Sequence, residues 1–440
     1  MKTPIVDFLN EYVEKSPTRM HMPGHKGKFG YERDITEVAG ADSLYHADGI
    51  IRESEKYAGE LFSAYTYFSA EGSSLSIRAM LYLTSLYAKS IGKSGKILAA
   101  RNVHKSFISA VALVGIDVDF FGFGADYLSA QITPEELAEI LDKEEDQPIA
   151  VYITSPDYLG RMQDIKGISE VCHKRGILLL VDNAHGAYLA FLEKSMHPIA
   201  LGADMCADSA HKTFPALTGA AYLHISKGAP ALLSENAKSA LALFGSTSPS
   251  YLILESLDKL NALVNDEFKA RLGNMQKLAT ETKAMLSDIG YKVIDGEALK
   301  ITIDTTAYGY RGYEIGKILE DGNLYPEFYD ADYLVLMLSA ENTAEDLKVL
   351  TDVMSKIPKK APLELDKAKL IKPCRRMSIR EAMLAPRKKV KVEDALGKIL
   401  ADGALSCPPA VPILVSGEII SESAIKAFKY YGYDEIYVIK

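Results

Sequence analysis

Apolar residues along the chain follow two spacings, and their alternation predicts the architecture. Residues 3–15 place apolar positions at helical intervals, and a loop rich in Gly, His and Pro, TRMHMPGHKGKFG, comes next. From about residue 55 onward, short apolar runs of strand length alternate with helical segments. The runs are GKILAAR, VDFFGFG, PIAVYITSP, GILLLVDNA, MCADSAHK and GAAYLHI; the helical segments include LSIRAMLYLTSLYAKSIG, PEELAEILDKEE and IKGISEVCHKRG. Strand and helix in alternation predict an α/β fold with a mainly parallel sheet covered on both faces. Residues 250–288 keep helical periodicity for most of their length and predict long bridging helices. YKVIDGEALKITID, RGYEIGKILEDG and YLVLMLSA then give a second strand–helix–strand pattern, and DEIYVIK reads as a closing strand. The expected division is an N-terminal segment at 1–48, a large α/β domain at 49–288 and a smaller C-terminal α/β domain at 289–440.

Composition narrows the class without naming a function. The 440 residues are 48% hydrophobic and 25% charged, as in ordinary globular proteins. A net charge of −9 argues against nucleic acid as the main partner, since phosphate-binding surfaces are usually basic. Cys172, Cys206, Cys374 and Cys407 are scattered, with neither a CxxC pair nor metal-ligand spacing. A reducing cytoplasm is the expectation, with no signal peptide, no membrane span and no metal.

Three elements carry candidate chemistry. In EGSSLSIRAM, Gly72, Ser73 and Ser74 open a helix, whose free N–H groups and positive dipole end suit a phosphate. Taken alone, the tripeptide reads first as a plain helix cap. In ILLLVDNAHGAY, Asp182 stands where an apolar strand runs into a loop, the position of binding residues in open α/β sheets. It could equally cap the next turn. In DMCADSAHKTFPALTG, Lys212 follows Ser209 and His211 in an otherwise apolar stretch. Burial there would lower its pKa and make the amine nucleophilic toward an aldehyde. A snorkelling surface lysine is the alternative.

Asp182 followed by Ser209-x-His211-Lys212 resembles the layout of fold-type-I pyridoxal-phosphate enzymes, the aspartate-aminotransferase fold. More narrowly, the chain is similar to the short-form bacterial ornithine/lysine/arginine decarboxylases over nearly its whole length. The shared motifs are HMPGHKG at 21–27, ADSLYHADGII at 41–51, EGSSLSIRAM at 71–80, RNVHKS at 101–106 and TSPDYLGRMQDI at 154–165. VDNAHGAY at 181–188, DSAHKTFPALTG at 208–219, FGSTSPSY at 244–251, MSIREAM and CPPAVPILVSGE complete the series. The resemblance implies a cytoplasmic, pyridoxal-phosphate-dependent decarboxylase of a basic amino acid, with arginine first, then lysine or ornithine, as in polyamine biosynthesis. It implies that Lys212 binds the cofactor covalently, that Asp182 pairs with the pyridine nitrogen and that His104 stacks over the ring. His185 would contact the ring oxygen or support Asp182. Gly72, Ser73, Ser74, Ser209 and His211 would hold the phosphate. Ser248 would reach the phosphate of a neighbouring subunit, which implies a homodimer with active sites at its interface. His25 and Glu418 are the candidates for substrate contact, and His21 and Tyr158 would lie near the site or serve packing.

Four positions depart from the family pattern. Asn183 replaces an acid, Tyr188 a histidine, Asp157 a threonine, and Ala410 the glycine of a PPG-x-P segment. These changes bear on substrate identity rather than on the cofactor core. Three rivals stay open: an aminotransferase or lyase of the same fold, a decarboxylase of an unusual amino acid, and a catalytically silent regulatory paralogue. The first would use an arginine to hold the substrate carboxylate, and Arg375, Arg376, Arg380 and Arg387 are available.

Overall fold

The computed structural model describes residues 2–124, 129–365, 371–407 and 411–440. Ala410 therefore lies outside the described residues. The strands named here are β1 (Ala64–Ser69), β2 (Ile97–Ala100), β3 (Val118–Phe121), β4 (Ala150–Thr154), β5 (Leu178–Asp182), β6 (Met205–Asp208) and β7 (Ala221–Ser226). The helices used below are α1 (Pro4–Glu14), α2 (Ile50–Phe62), α3 (Gly72–Ser90) and α4 (Lys105–Val114). The chain folds into two compact units that interleave along the sequence. The first comprises residues 1–95, 141–152 and 165–270; the second comprises 96–140, 153–164 and 271–440.

In the first unit the strands follow the order β1-β7-β6-β5. β5 and β6 run parallel, with Asp182 opposite Ala207, and β6–β7 and β1–β7 are antiparallel. Every residue of β5, LLLVD, is buried, as expected of a strand covered on both faces. β1 is a different case. In AYTYFS, Ala64, Thr66 and Phe68 are buried while Tyr65 is exposed, so an edge strand replaces what the apolar pattern leaves unassigned. α1 starts with Pro4, whose missing N–H costs nothing at a first helical position. Its next two N–H groups, on Ile5 and Val6, both donate to Asp258 Oδ2 at 2.9 Å. Residues 251–263 and 266–289 form the expected long helices.

In the second unit β2 and β3 are parallel. α4 is capped at its start by His104, whose Nδ1 accepts from the Ser106 N–H, and at its end by Gly115 in the left-handed region. A four-stranded sheet contains Lys300–Asp304 between antiparallel neighbours Lys292–Ile294 and Tyr333–Met337. A core of Leu159, Phe328, Val335, Val392, Leu400, Ile413, Phe428 and Val438 gathers residues from widely separated segments. Among the described residues, no helix is long and apolar enough to cross a membrane.

Candidate active site

The site grows from the carboxyl ends of β5 and β6, where open α/β sheets place ligands. β5 ends on Asp182, and Asn183, Ala184 and His185 follow. β6 ends on Asp208; Ser209 then leads into the short turn Ala210–Thr213, which carries His211 and Lys212. This places Lys212 Nζ 2.8 Å from His185 Nε2. Asp182 is almost fully buried. Tyr152 OH donates to its Oδ2 at 3.3 Å and the Ala184 N–H to its Oδ1 at 3.2 Å. Burial pushes the carboxyl pKa up, and the nearby Lys212 ammonium offsets only part of that rise. Two long hydrogen bonds leave such a carboxylate short of donors, so a protonated ring nitrogen would complete its coordination.

Beside this pair lies an anion cradle. α3 begins at Gly72 with no side chain capping its first turn, so the N–H groups that follow Gly72 look outward. Gly72 has φ +70°, and a Cβ added there would meet nothing within 4 Å. The Gly72 N–H donates to Gly219 O at 2.7 Å, which fixes the helix start against the turn before β7. Ser209 Oγ donates to Ser73 Oγ at 2.9 Å, joining the helix start to the lysine-bearing turn. His211 Nδ1 is 2.9 Å from Ala220 O, so Nδ1 carries the proton there. Glycine, serine hydroxyls, helix N–H groups and an imidazole form a donor set suited to a phosphate monoester, with an amine and a buried acid alongside. The residues fit pyridoxal phosphate.

The first unit thus brings together Gly72, Ser73, Ser74, Asp182, His185, Ser209, His211 and Lys212. Ser248 is exposed in the loop before residue 251, its N–H bonded to Ser246 Oγ at 3.1 Å. His25 is held within its own loop: its Nε2 is 3.1 Å from Asp34 Oδ2, and its Nδ1 accepts from the Gly27 N–H at 3.0 Å. That favours loop shaping over substrate contact. His21 likewise meets Tyr12 OH at 2.6 Å. Of the departures, Asn183 donates from Nδ2 to Asp208 Oδ1 at 2.8 Å, and Tyr188 is fully buried.

The second unit holds the remaining candidates. His104 caps α4, with Nδ1 also 2.7 Å from Ser106 Oγ. Asp157 accepts from Ser129 Oγ at 2.6 Å and from the N–H groups of Leu159 and Arg161, and so closes a turn. Tyr158 packs against Phe328. Glu418 does not wait for a cationic substrate: Arg101 donates from Nη1 and Nη2 to its two oxygens at 2.7 and 2.8 Å, and both side chains are buried. Three of the four arginines offered for an aminotransferase are also engaged. Arg375 pairs with Asp119, Arg380 donates to Ala112 O and Leu113 O, and Arg387 reaches Asp402.

Arg101 and Tyr152 are partners the sequence pattern does not reveal. Tyr152 is one hydroxyl within an apolar strand, and Arg101 stands in RNVHKS without an obvious role. The fold also gathers His197, Asp208 and His224, whose potential metal-ligating atoms lie within 4.8 Å of one another. The scattered histidines gave no sign of this group.

Comparison with known proteins agrees with this geometry. Residues 3–306 match the family model described as Orn/Lys/Arg decarboxylase, major domain. An arginine decarboxylase of Halalkalibacterium halodurans is 28% identical, over 96% of this chain and 92% of that protein. The arginine decarboxylase of Bacillus subtilis is 27% identical, again over 96% and 92%. Among solved structures, the lysine decarboxylase of Francisella novicida superposes with a TM-score of 0.80 at 17% identity, covering 100% of this chain and 81% of its own. That likeness bears on the fold.

Proposed function

The chain belongs to the Orn/Lys/Arg decarboxylase family, and from that premise we propose that it removes carbon dioxide from a basic amino acid, arginine first, with pyridoxal phosphate held at Lys212. The observation that carries the reading is the meeting of three features in one unit: the Lys212–His185 contact, the buried Asp182, and the open, glycine-led start of α3. When bound, pyridoxal phosphate supplies an electron sink for the bonding pair released as carbon dioxide departs.

The chain's own residues do the rest. Ser73, Ser74, Ser209, His211 and the first N–H groups of α3 hold the phosphate and anchor the ring. Asp182 accepts a proton-bearing ring nitrogen and keeps that proton in place, a stronger interaction in this buried setting than in water. Lys212 Nζ would hold the cofactor through its nucleophilic amine. Lys212 Nζ and His185 Nε2, 2.8 Å apart, can pass a proton between them and return one to Cα of the substrate, which gives the amine.

Arginine leads because two arginine decarboxylases match nearly the full chain; lysine and ornithine follow. His104 is the proposed stacking residue, and Ser248 the proposed contribution to a second subunit of a cytoplasmic homodimer. The test is carbon dioxide and amine release by the purified protein with pyridoxal phosphate and each of the three amino acids. One of them should turn over. Lys212→Ala should abolish turnover and the borohydride-reducible adduct on the peptide containing residue 212. Turnover retained by that variant would overturn the assignment, and absence of turnover with all three would remove the substrate class.

A further inference from the structure

One carboxylate outside the proposed cofactor contacts, Asp208, is more elaborately held than Asp182 itself. It is fully buried one residue before Ser209 and four before Lys212. Its Oδ1 accepts from Asn183 Nδ2 at 2.8 Å and from Cys206 Sγ at 3.3 Å. Its Oδ2 lies 2.9 Å from His197 Nε2 and 3.2 Å from His224 Nε2. Asn183 follows Asp182 directly, so the Asn183–Asp208 bond ties together the two strand ends that carry Asp182 and Lys212. The backbone repeats this tie, with the Asn183 N–H donating to Ala207 O at 3.0 Å.

The protonation of the cluster follows from its outer bonds. His197 Nδ1 accepts from the Ile199 N–H, so the ring proton is on Nε2, facing Asp208. His224 Nδ1 is 2.9 Å from Thr66 Oγ1, and burial lowers the pKa of this ring, favouring its neutral form. Burial would raise the Asp208 pKa, but the imidazoles beside it prevail and hold the group well below the usual carboxylate range. Asp208 is therefore a buried anion. An apolar residue of similar size would often serve stability as well or better, so the retained charge points to a second purpose. The chain joins Asp208 to the Lys212 turn and Asn183 joins it to Asp182; Tyr152 OH donates to Asp182, His185 meets Lys212, and Tyr222 stands opposite Asp208 on β7.

We propose that Asp208 is a positioning residue for the cofactor pair: through Asn183 it sets the Asp182 strand end against the Lys212 turn, and its fixed negative charge keeps a cationic ring nitrogen protonated beside Asp182. The idea rests on the function proposed above. Asp208 also adds, as the smallest of several causes, to the upward push on the Asp182 carboxyl.

Two variants separate charge from geometry. Asp208→Asn keeps an oxygen for the imidazoles, while its new N–H₂ faces Asn183, whose Oδ1 has no hydrogen-bond partner and can turn to accept. Asn183→Ala removes the tie and leaves the charge. Circular dichroism checks the fold, and a pH titration of the 15N resonance of ring-labelled pyridoxal phosphate bound to the protein reports on the ring nitrogen. Asp208→Asn should move the titration midpoint down by about one pH unit and lower kcat roughly tenfold, with KM little changed. Asn183→Ala should hold the midpoint but weaken cofactor affinity roughly tenfold. An unmoved midpoint in folded Asp208→Asn overturns the charge role; unchanged cofactor affinity in Asn183→Ala overturns the geometric one. One equivalent of zinc retained by the wild type and lost in Asp208→Asn would overturn both, making the cluster a metal site. If wild-type protein showed no absorption change with pyridoxal phosphate, the cofactor reading would fall first and this proposal with it.

Discussion

Replacing Glu418 by glutamine would distinguish a structural ion pair from a substrate-binding acid. Arg101 has no exposed surface, and both of its terminal nitrogens meet the Glu418 carboxylate; Nη2 also donates to Ile413 O at 3.1 Å. Glu418 Oε2 further accepts from the Val415 N–H at 2.8 Å. The amide keeps one acceptor but leaves the guanidinium without a counter-charge, a change that costs about 3–5 kcal/mol when the pair is buried. Domain stabilities are about 5–15 kcal/mol, so the variant should fold but be plainly weakened. The chain has no tryptophan, so far-ultraviolet circular dichroism in urea is the natural assay. The midpoint should fall by about 1 M or more. Arg101→Met combined with Glu418→Gln removes the orphaned charge and should recover much of the loss, giving a large coupling in a double-mutant cycle. An unchanged midpoint would refute this reasoning. So would intact stability with a tenfold rise in KM for arginine, which would return Glu418 to the substrate.

Three more outcomes are expected. Asp182→Asn should raise the melting temperature of the cofactor-free protein near neutral pH: a carboxyl with a raised folded pKa loses stability as pH rises through that pKa, and the amide avoids it. The same variant should bind pyridoxal phosphate more weakly, as an absorption titration would read. Asp258, pushed by burial from 3.8 to about 6, gives stability that is full below 3.8 and lost as pH rises through 6. That amounts to about 3 kcal/mol in total; Asp258→Asn should flatten this part of the stability–pH curve, and an unchanged slope would count against it. Gly72→Ala should cost about 1 kcal/mol through its left-handed backbone and should reduce phosphate-competitive cofactor binding.

Much of the frame is legible because fully buried strands are unbroken apolar runs. LLLVD announces both β5 and, at its end, Asp182. β1 is harder to see: AYTYFS mixes aromatic and hydroxyl residues on a strand with one exposed tyrosine, and its pairing with β7 joins residues 64–69 to 221–226. Side-chain commitments across long separations are the least visible of all. Nothing in VSGEII reveals that Arg101, 317 residues away, neutralises Glu418. The Asp208 cluster likewise depends on register, since His224 is brought to Asp208 only because Cys206 stands opposite it on the antiparallel partner strand.

The capping of α1 by Asp258 has a consequence for synthesis. Ile5 and its acceptor are 253 residues apart, and closing so long a loop costs about 5 kcal/mol of chain entropy before any contact repays it. At roughly 5–20 residues per second, the ribosome needs about 13–50 s to supply residue 258 after residue 5 has emerged. For that interval the apolar stripe of α1, with Ile5 and Leu9 destined for burial, has α2 to pack against but lacks its second partner, the helix at 251–263. A helix made early is thus among the last to lock, which makes α1 a natural handle for a chaperone while the rest of the chain is being made.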